Sequence, residues 1–168
     1  DAVIVTKTPD AAPASAREEV RKELMAAGVS VPVFFTSLAY GQPHRLFTDN
    51  TGEIQRTTSV LLVTGIANPA PLSDYIRSIA GQVTRLTFPD HHAFTPADIG
   101  TITSAFDSIN GPDKIIVTTA KDGVRLKEII NIADHVRQAL HYLPVRVQFI
   151  ENEDLFLNKV YSYAGKNN

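Results

Sequence analysis

Cysteine is absent from the 168 residues, which excludes disulfides, thiolate-bound metals and a cysteine nucleophile, and permits a reducing compartment. An excess of one charge is also missing. The 16 Lys and Arg stand against 18 Asp and Glu, a formal net charge of -2, and no basic run occurs. A domain that grips nucleic acid by its phosphates needs a basic excess, so nucleic acid is not an expected partner. No apolar run approaches the length of a membrane span, and the short stretch Ala2–Val5 is wrongly flanked for a signal peptide. The chain opens on Asp1 without an initiator Met, which suggests a processed product or a cut fragment. There is no Gly-x-x-x-x-Gly-Lys-Ser/Thr, no Gly-x-Gly-x-x-Gly and no His-Glu-x-x-His, so three common routes to phosphate, dinucleotide and zinc chemistry lack support within these residues. Internal repeats and low-complexity tracts are missing too.

What is present reads as globular. Hydrophobic residues make up 43% and charged residues 20%, and a chain of this length buries about 70% of its unfolded surface, enough for a core without staples. Ala2–Thr6 reads as a strand. Ser15–Ala27 reads as a helix with Val20, Leu24 and Ala27 on one stripe, Arg17, Glu18, Arg21 and Lys22 on the wet side, and Gly28 as a left-handed cap. Val31–Leu38 is a strand. Residues 39–58, rich in Gly, Pro, Asp and Asn, form a linker or weakly buried hairpin turning near Asp49–Gly52, and a subdomain boundary falls there.

From Ser59 onward strands and helices alternate. The expected strands are Ser59–Thr64, Val83–Phe88, Lys114–Thr119 and Val145–Ile150. The expected helices are Pro71–Ala80, Pro96–Ile109, one long helix over Val124–Leu140, and Asp154–Tyr163, with Gly165–Asn168 frayed. This alternation predicts an α/β fold with a mostly parallel sheet. On such a sheet ligands meet the carboxyl ends of the strands, which selects three loops.

In the first loop Gly65 permits a sharp turn, Asn68 is a candidate N-cap, and Pro69 suits the first helical position. The second, Phe88-Pro89-Asp90-His91-His92, precedes a helix capped by Thr95 with Asp98 three residues on. A carboxylate beside an imidazole fixes its tautomer and lets the ring hold or shuttle a proton, so Asp90, His91 and His92 are candidates for acid–base work; the structural alternative is that Asp90 only ties the turn. The third, Thr119-Ala120-Lys121-Asp122-Gly123, offers an ammonium and a carboxylate for a polar ligand, or else an exposed charge pair. His135 and His141, near the end of the long helix, read as surface or capping residues.

The sequence of these loops, Val63-Thr64-Gly65-Ile66-Ala67-Asn68-Pro69, then Phe88-Pro89-Asp90-His91-His92, then Thr118-Thr119-Ala120-Lys121-Asp122, resembles the C-terminal half of the tetraacyldisaccharide 4'-kinase (lipid A 4'-kinase) family. The resemblance runs from about Asp1 to about Leu126 and departs at Ala120, where the family commonly has Glu. It implies a fragment of a P-loop-NTPase-like α/β/α fold, with a two-stranded linker and a smaller C-terminal α/β lid. On this chain, 1–38 would end the nucleotide-binding core, 39–58 would be the linker, and 59–168 the lid. It further implies an ATP-dependent kinase, peripheral to the cytoplasmic face of the inner membrane, that phosphorylates the 4'-hydroxyl of an acylated glucosamine disaccharide 1-phosphate. ATP and Mg²⁺ would be held mainly by an N-terminal half, without which these residues should be inactive. By matched position His91 would assist a catalytic Asp of that half, with Asp90 beside it, while Asn68, His92, Lys121 and Asp122 would contact substrate or lid. Two other readings remain from the residues alone: a metal-dependent phosphoesterase using Asp90-His91-His92, which would need more carboxylates than Asp122, and a non-catalytic binding domain.

Overall fold

The computed structural model describes residues 1–48 and 50–165. The elements run β1 (Val3–Val5), α1 (Ala14–Ala26), β2 (Val33–Tyr40), β3 (His44–Arg45), β4 (Ser59–Thr64), α2 (Ala70–Ile79) and β5 (Gln82–Thr87). They continue with α3 (Pro96–Asp107), β6 (Lys114–Thr119), α4 (Ala120–Lys127), α5 (Asp134–Ala139), β7 (Leu140–Leu143), β8 (Val145–Phe149) and α6 (Glu153–Ala164). Two compact units result: residues up to Tyr40 together with those from Val145, and Gly41–Pro144.

The first unit is a three-stranded sheet in the order β1-β2-β8, parallel between β1 and β2 and antiparallel between β2 and β8. Helix α1 ends in a Schellman arrangement: Gly28 adopts φ +90°, its N–H reaches the carbonyl of Met25 at 3.0 Å, and Val29 N–H reaches that of Leu24 at 2.9 Å. Arg17 and Arg21 do not line a wet face. Both are partly buried and pair with Glu151, and Arg21 also lies over the Phe35 ring at 4.9 Å. The hydrogen bond from Arg21 holds the Glu151 carboxyl below the usual carboxylate range.

The second unit is a five-stranded sheet in the order β3-β7-β6-β4-β5. All its pairings are parallel except β3 with β7. Strand β4 lies inside the sheet, between β6 and β5. Val60, Leu61, Leu62 and Val63 are at most 1% exposed, as a parallel strand covered on both faces requires. Leu61, Val63 and Ile116 pack with Ile99, Ile102 and Phe106 of α3, Leu126 of α4 and Val136 of α5 in one apolar cluster. Gly81 lies so close to the Arg56 carbonyl that a Cβ there would stand 2.3 Å from its oxygen.

Three expectations are corrected. The linker drawn at 39–58 is not separate: β3 pairs with β7, and Leu46, 2% exposed, joins the core cluster, so residues from Gly41 belong to the second unit. The expected block 59–168 divides at Pro144, because β8 pairs with β2. The long helix Val124–Leu140 breaks after Lys127, Asn131 takes a left-handed φ of 69°, and Leu140–Leu143 forms the missed strand β7. The expected turn residue Asp49 and the tail 166–168 lie outside the described residues.

His141 is therefore on a strand, and it is buried. Its Nδ1 lies 2.7 Å from the Ala139 carbonyl, and Gly52 packs so closely that an added Cβ would meet the ring at 2.9 Å. Burial lowers the His141 pKa from its ordinary value, the Ala139 hydrogen bond opposes this, and the charge of Arg45 adds to it. A folded-state value below the unfolded one means that the unfolded chain takes up the proton first, so this contribution is complete above about pH 6.5 and declines as pH falls below it. Thermal melts at about pH 7.5 and about pH 5.5 should show a larger acid-side loss for the wild type than for His141→Gln; parallel curves would contradict the assignment.

Candidate functional site

Among the parallel strands of the second unit β4 comes first in sequence, β5 lies on one side of it and β6 on the other. The chain order therefore reverses between β4 and β6, and the crevice falls at their carboxyl ends. Gly65 leaves β4 there and α4 starts directly after β6, so Lys121 and Asp122 stand in its first helical turn rather than in a loop. Thr119 caps α4 reciprocally with Asp122: its Oγ1 accepts the Asp122 N–H at 3.0 Å and donates to Asp122 Oδ2 at 2.9 Å.

Asp122 has no exposed surface, and it ties the start of α4 to the end of β4. Oδ2 accepts the Gly65 N–H at 2.9 Å, joining the ends of β4 and β6, and Oδ1 accepts from Arg125 Nη1 at 3.2 Å. A Cβ on Gly65 would stand 3.3 Å from Asp122 Oδ1 and from the Pro89 carbonyl oxygen, so this position has room for little more than glycine.

The Gly65 carbonyl in turn accepts the His91 N–H at 3.2 Å. His91 sits in a left-handed conformation with φ 60°, which costs a β-carbon-bearing residue on the order of 1 kcal/mol and here is fixed by the surrounding turn. Its side chain is 67% exposed, yet it stands at the mouth of the sheet: Nε2 lies 3.2 Å from Lys121 Nζ, and Nδ1 lies 3.4 Å from Arg125 Nη2.

The carboxylate expected beside this ring is only loosely so. Asp90 Oδ2 is 3.8 Å from His91 Nε2, and Asp90 Oδ1 accepts the His91 backbone N–H at 3.0 Å, so Asp90 ties the turn and leaves the ring to the two cations. The imidazole that does gain a carboxylate is His92. Its Nε2 donates to Asp98 Oδ2 at 3.0 Å, and its ring stacks on Phe88 at 4.9 Å. That hydrogen bond, followed by those from Thr95, holds the Asp98 carboxyl below its usual range. His92 thereby locks the capping box of α3, Thr95 with Asp98. Asn68 accepts the Ala70 N–H at 3.1 Å while Pro69 takes the N-cap position of α2, one residue later than expected. His135 is exposed and pairs with Asp107.

Sequence reasoning missed Arg125. Its signal was helical spacing, three residues after Asp122 and four after Lys121, legible once α4 is known to begin at Ala120. A cavity of about 570 Å³ opens beside this corner, lined by His91 and Arg125 with Phe94, Glu128, Ile129 and Ile130 among others. A larger one, about 1190 Å³, lies in the first unit beside α6 and contains none of the candidate residues. Among the described residues no three His, Asp or Glu side chains are grouped to hold a metal ion. At His91 the neighbouring cations oppose one, which removes the support for a phosphoesterase reading. No described helix is long and apolar enough to cross a membrane.

A largely parallel sheet with its polar corner at the switch point defines an α/β protein, and its fold is shared with a solved kinase structure. The crystal structure of the "apo" form of LpxK from Aquifex aeolicus in complex with ATP matches it at a TM-score of 0.52, covering 96% of this chain and 51% of that one at 15% identity. Residues 1–162 match the family model for tetraacyldisaccharide-1-P 4'-kinase, and the chain belongs to that family, a kinase family of lipid A biosynthesis. Tetraacyldisaccharide 4'-kinase of Phocaeicola vulgatus is 34% identical over 98% of the chain and 46% of its own length. That of Flavobacterium johnsoniae is 33% identical over 98% and 45%, and that of Bacteroides thetaiotaomicron 32% over 80% and 39%. The chain thus spans less than half the length of these curated relatives.

Proposed function

We propose that this chain is the C-terminal portion of an ATP-dependent kinase that phosphorylates the 4'-hydroxyl of tetraacyldisaccharide 1-phosphate, acting at the cytoplasmic face of the inner membrane as a peripheral protein. In this reading Gly41–Pro144 is the lid, and the unit built on β1, β2 and β8 completes the nucleotide-binding core. The observation that carries the proposal is the position of His91, exposed at the switch-point mouth and held there through Gly65.

The residues present do not fit Mg²⁺. Both Asp122 oxygens are committed, and the remaining polar groups at the corner include two cations, so no step of this chain runs through the metal. As the 4'-oxygen bonds to the γ-phosphorus and the bond to ADP breaks, the hydroxyl proton must leave; His91 takes it, directly or by relay from a carboxylate elsewhere in the complete protein. Asp90 shapes the turn that presents the ring. Asp122 positions Gly65 and Arg125, Lys121 contacts an anionic substrate group, and His92 and Asn68 hold the helix starts that frame the cleft.

Radiolabelled ATP and purified tetraacyldisaccharide 1-phosphate test the reading. The complete protein containing this chain should transfer label to the lipid, and the 168-residue chain alone should not. A complete, folded protein without transfer, or turnover by the chain alone, would overturn it.

A further inference from the structure

The corner at His91 contains a hydrogen-bonding conflict. Lys121 Nζ faces Nε2 and Arg125 Nη2 faces Nδ1, at 3.2 and 3.4 Å. Ammonium and guanidinium groups only donate, whereas a neutral imidazole accepts at one nitrogen and donates at the other, and a protonated one accepts at neither. Both contacts cannot be hydrogen bonds at once. Among the described residues no carboxylate pairs with Lys121, so its ammonium has donors to spare. Arg125 is different, because Asp122, fully buried, fixes it through Nη1 and leaves Nη2 aimed at the corner.

An anion placed among the three side chains resolves the conflict, accepting from Lys121, from Arg125 and from one His91 nitrogen. Its chemistry is constrained by the adjoining cavity of about 570 Å³, whose lining includes Phe94, Ile129 and Ile130 as well as Glu128, with Ile130 80% exposed. We infer that His91, Lys121 and Arg125 form a binding site for the phosphate group of an organic phosphate whose less polar body lies against Phe94, Ile129 and Ile130. Phosphate suits the site because it offers several acceptor oxygens to a guanidinium fork and an ammonium together. The site itself stands on this geometry. Which phosphate it takes rests on the kinase reading: the ring that meets the 4'-hydroxyl stands beside the transferred nucleotide phosphate, whereas the 1-phosphate lies on the other sugar.

The test uses the 168-residue chain labelled with ¹⁵N at histidine, observing ring nitrogens while inorganic phosphate is added at constant pH and ionic strength. The expected result is a saturable shift of both His91 nitrogens with little change at His135, and binding weakened about tenfold or more in Lys121→Gln and in Arg125→Gln. Lys121 is exposed and unpaired with any carboxylate, so Lys121→Gln remains informative if loss of Arg125 disturbs the fold. No His91 shift, an equal shift with chloride, or an undiminished response in both variants would overturn the site. Repeating the titration with ATP and with glucosamine 1-phosphate identifies the source: tighter binding of the first assigns a nucleotide phosphate, and tighter binding of the second would overturn that assignment together with the place of His91 at the 4'-hydroxyl. No turnover is measured, so a failure here is separate from a failure of the kinase assay.

Discussion

Asp122→Ala should lower the stability of the unit Gly41–Pro144 by about 2–4 kcal/mol, seen as a fall in melting temperature of about 10 °C or more. The effect is large because one carboxylate serves three groups. Without it the buried Gly65 N–H has no acceptor, the cap of α4 loses half of its reciprocal pair, and Arg125 loses its only carboxylate partner among the described residues. Arg125 keeps partial access to water, its side chain being 24% exposed, which keeps the cost below that of stranding a fully buried charge. Asp122→Asn retains an acceptor for Gly65 and should recover roughly half of the loss. Melting of the alanine variant within about 2 °C of wild type would show that Asp122 does not tie the ends of β4 and β6 together.

On the proposed kinase function, His91→Ala in the complete protein should reduce kcat by about 10²–10⁴, the range for removal of a general acid or base, with the KM for the lipid acceptor changed by no more than a few-fold. The exposed His91 ring packs against little, and its partners Lys121 and Arg125 remain solvated or paired without it. The variant should therefore melt close to wild type, so lost turnover would not reflect lost folding. Alanine in the left-handed conformation is no easier than histidine, so the turn gains nothing from the change. A rise in KM at constant kcat would instead assign His91 to substrate binding alone.

Much of this could be read from residue order. The run Ser59–Thr64 has the continuous apolar character of a strand buried on both faces, and Thr95-Pro96 with Asp98 marks the start of α3, so two of the three carboxyl-edge loops are legible, whereas the third is the first turn of α4. Periodicity failed after Lys127, because Leu126, Ile132, Val136 and Leu140 all reach the core although they belong to two helices, a connection and a strand. Their spacing mimics a single helical stripe. Asn131, in a left-handed conformation, and the β-favouring residues before Pro144 were the local signals of the break. At the site, sequence adjacency suggested that Asp90 would orient His91. The left-handed turn instead directs that carboxylate to a backbone N–H and presents the ring to α4, thirty or more residues further along the chain. Such a partner depends on the parallel pairing of β4 with β6, which no local pattern encodes.

The most direct test is chemical rescue. With free imidazole added to the complete kinase carrying His91→Gly, turnover of tetraacyldisaccharide 1-phosphate should rise saturably from its depressed level, while the wild type stays unaffected. Wild-type turnover by His91→Gly without imidazole would remove this ring from the proton path and contradict the role given to the corner at the end of β4.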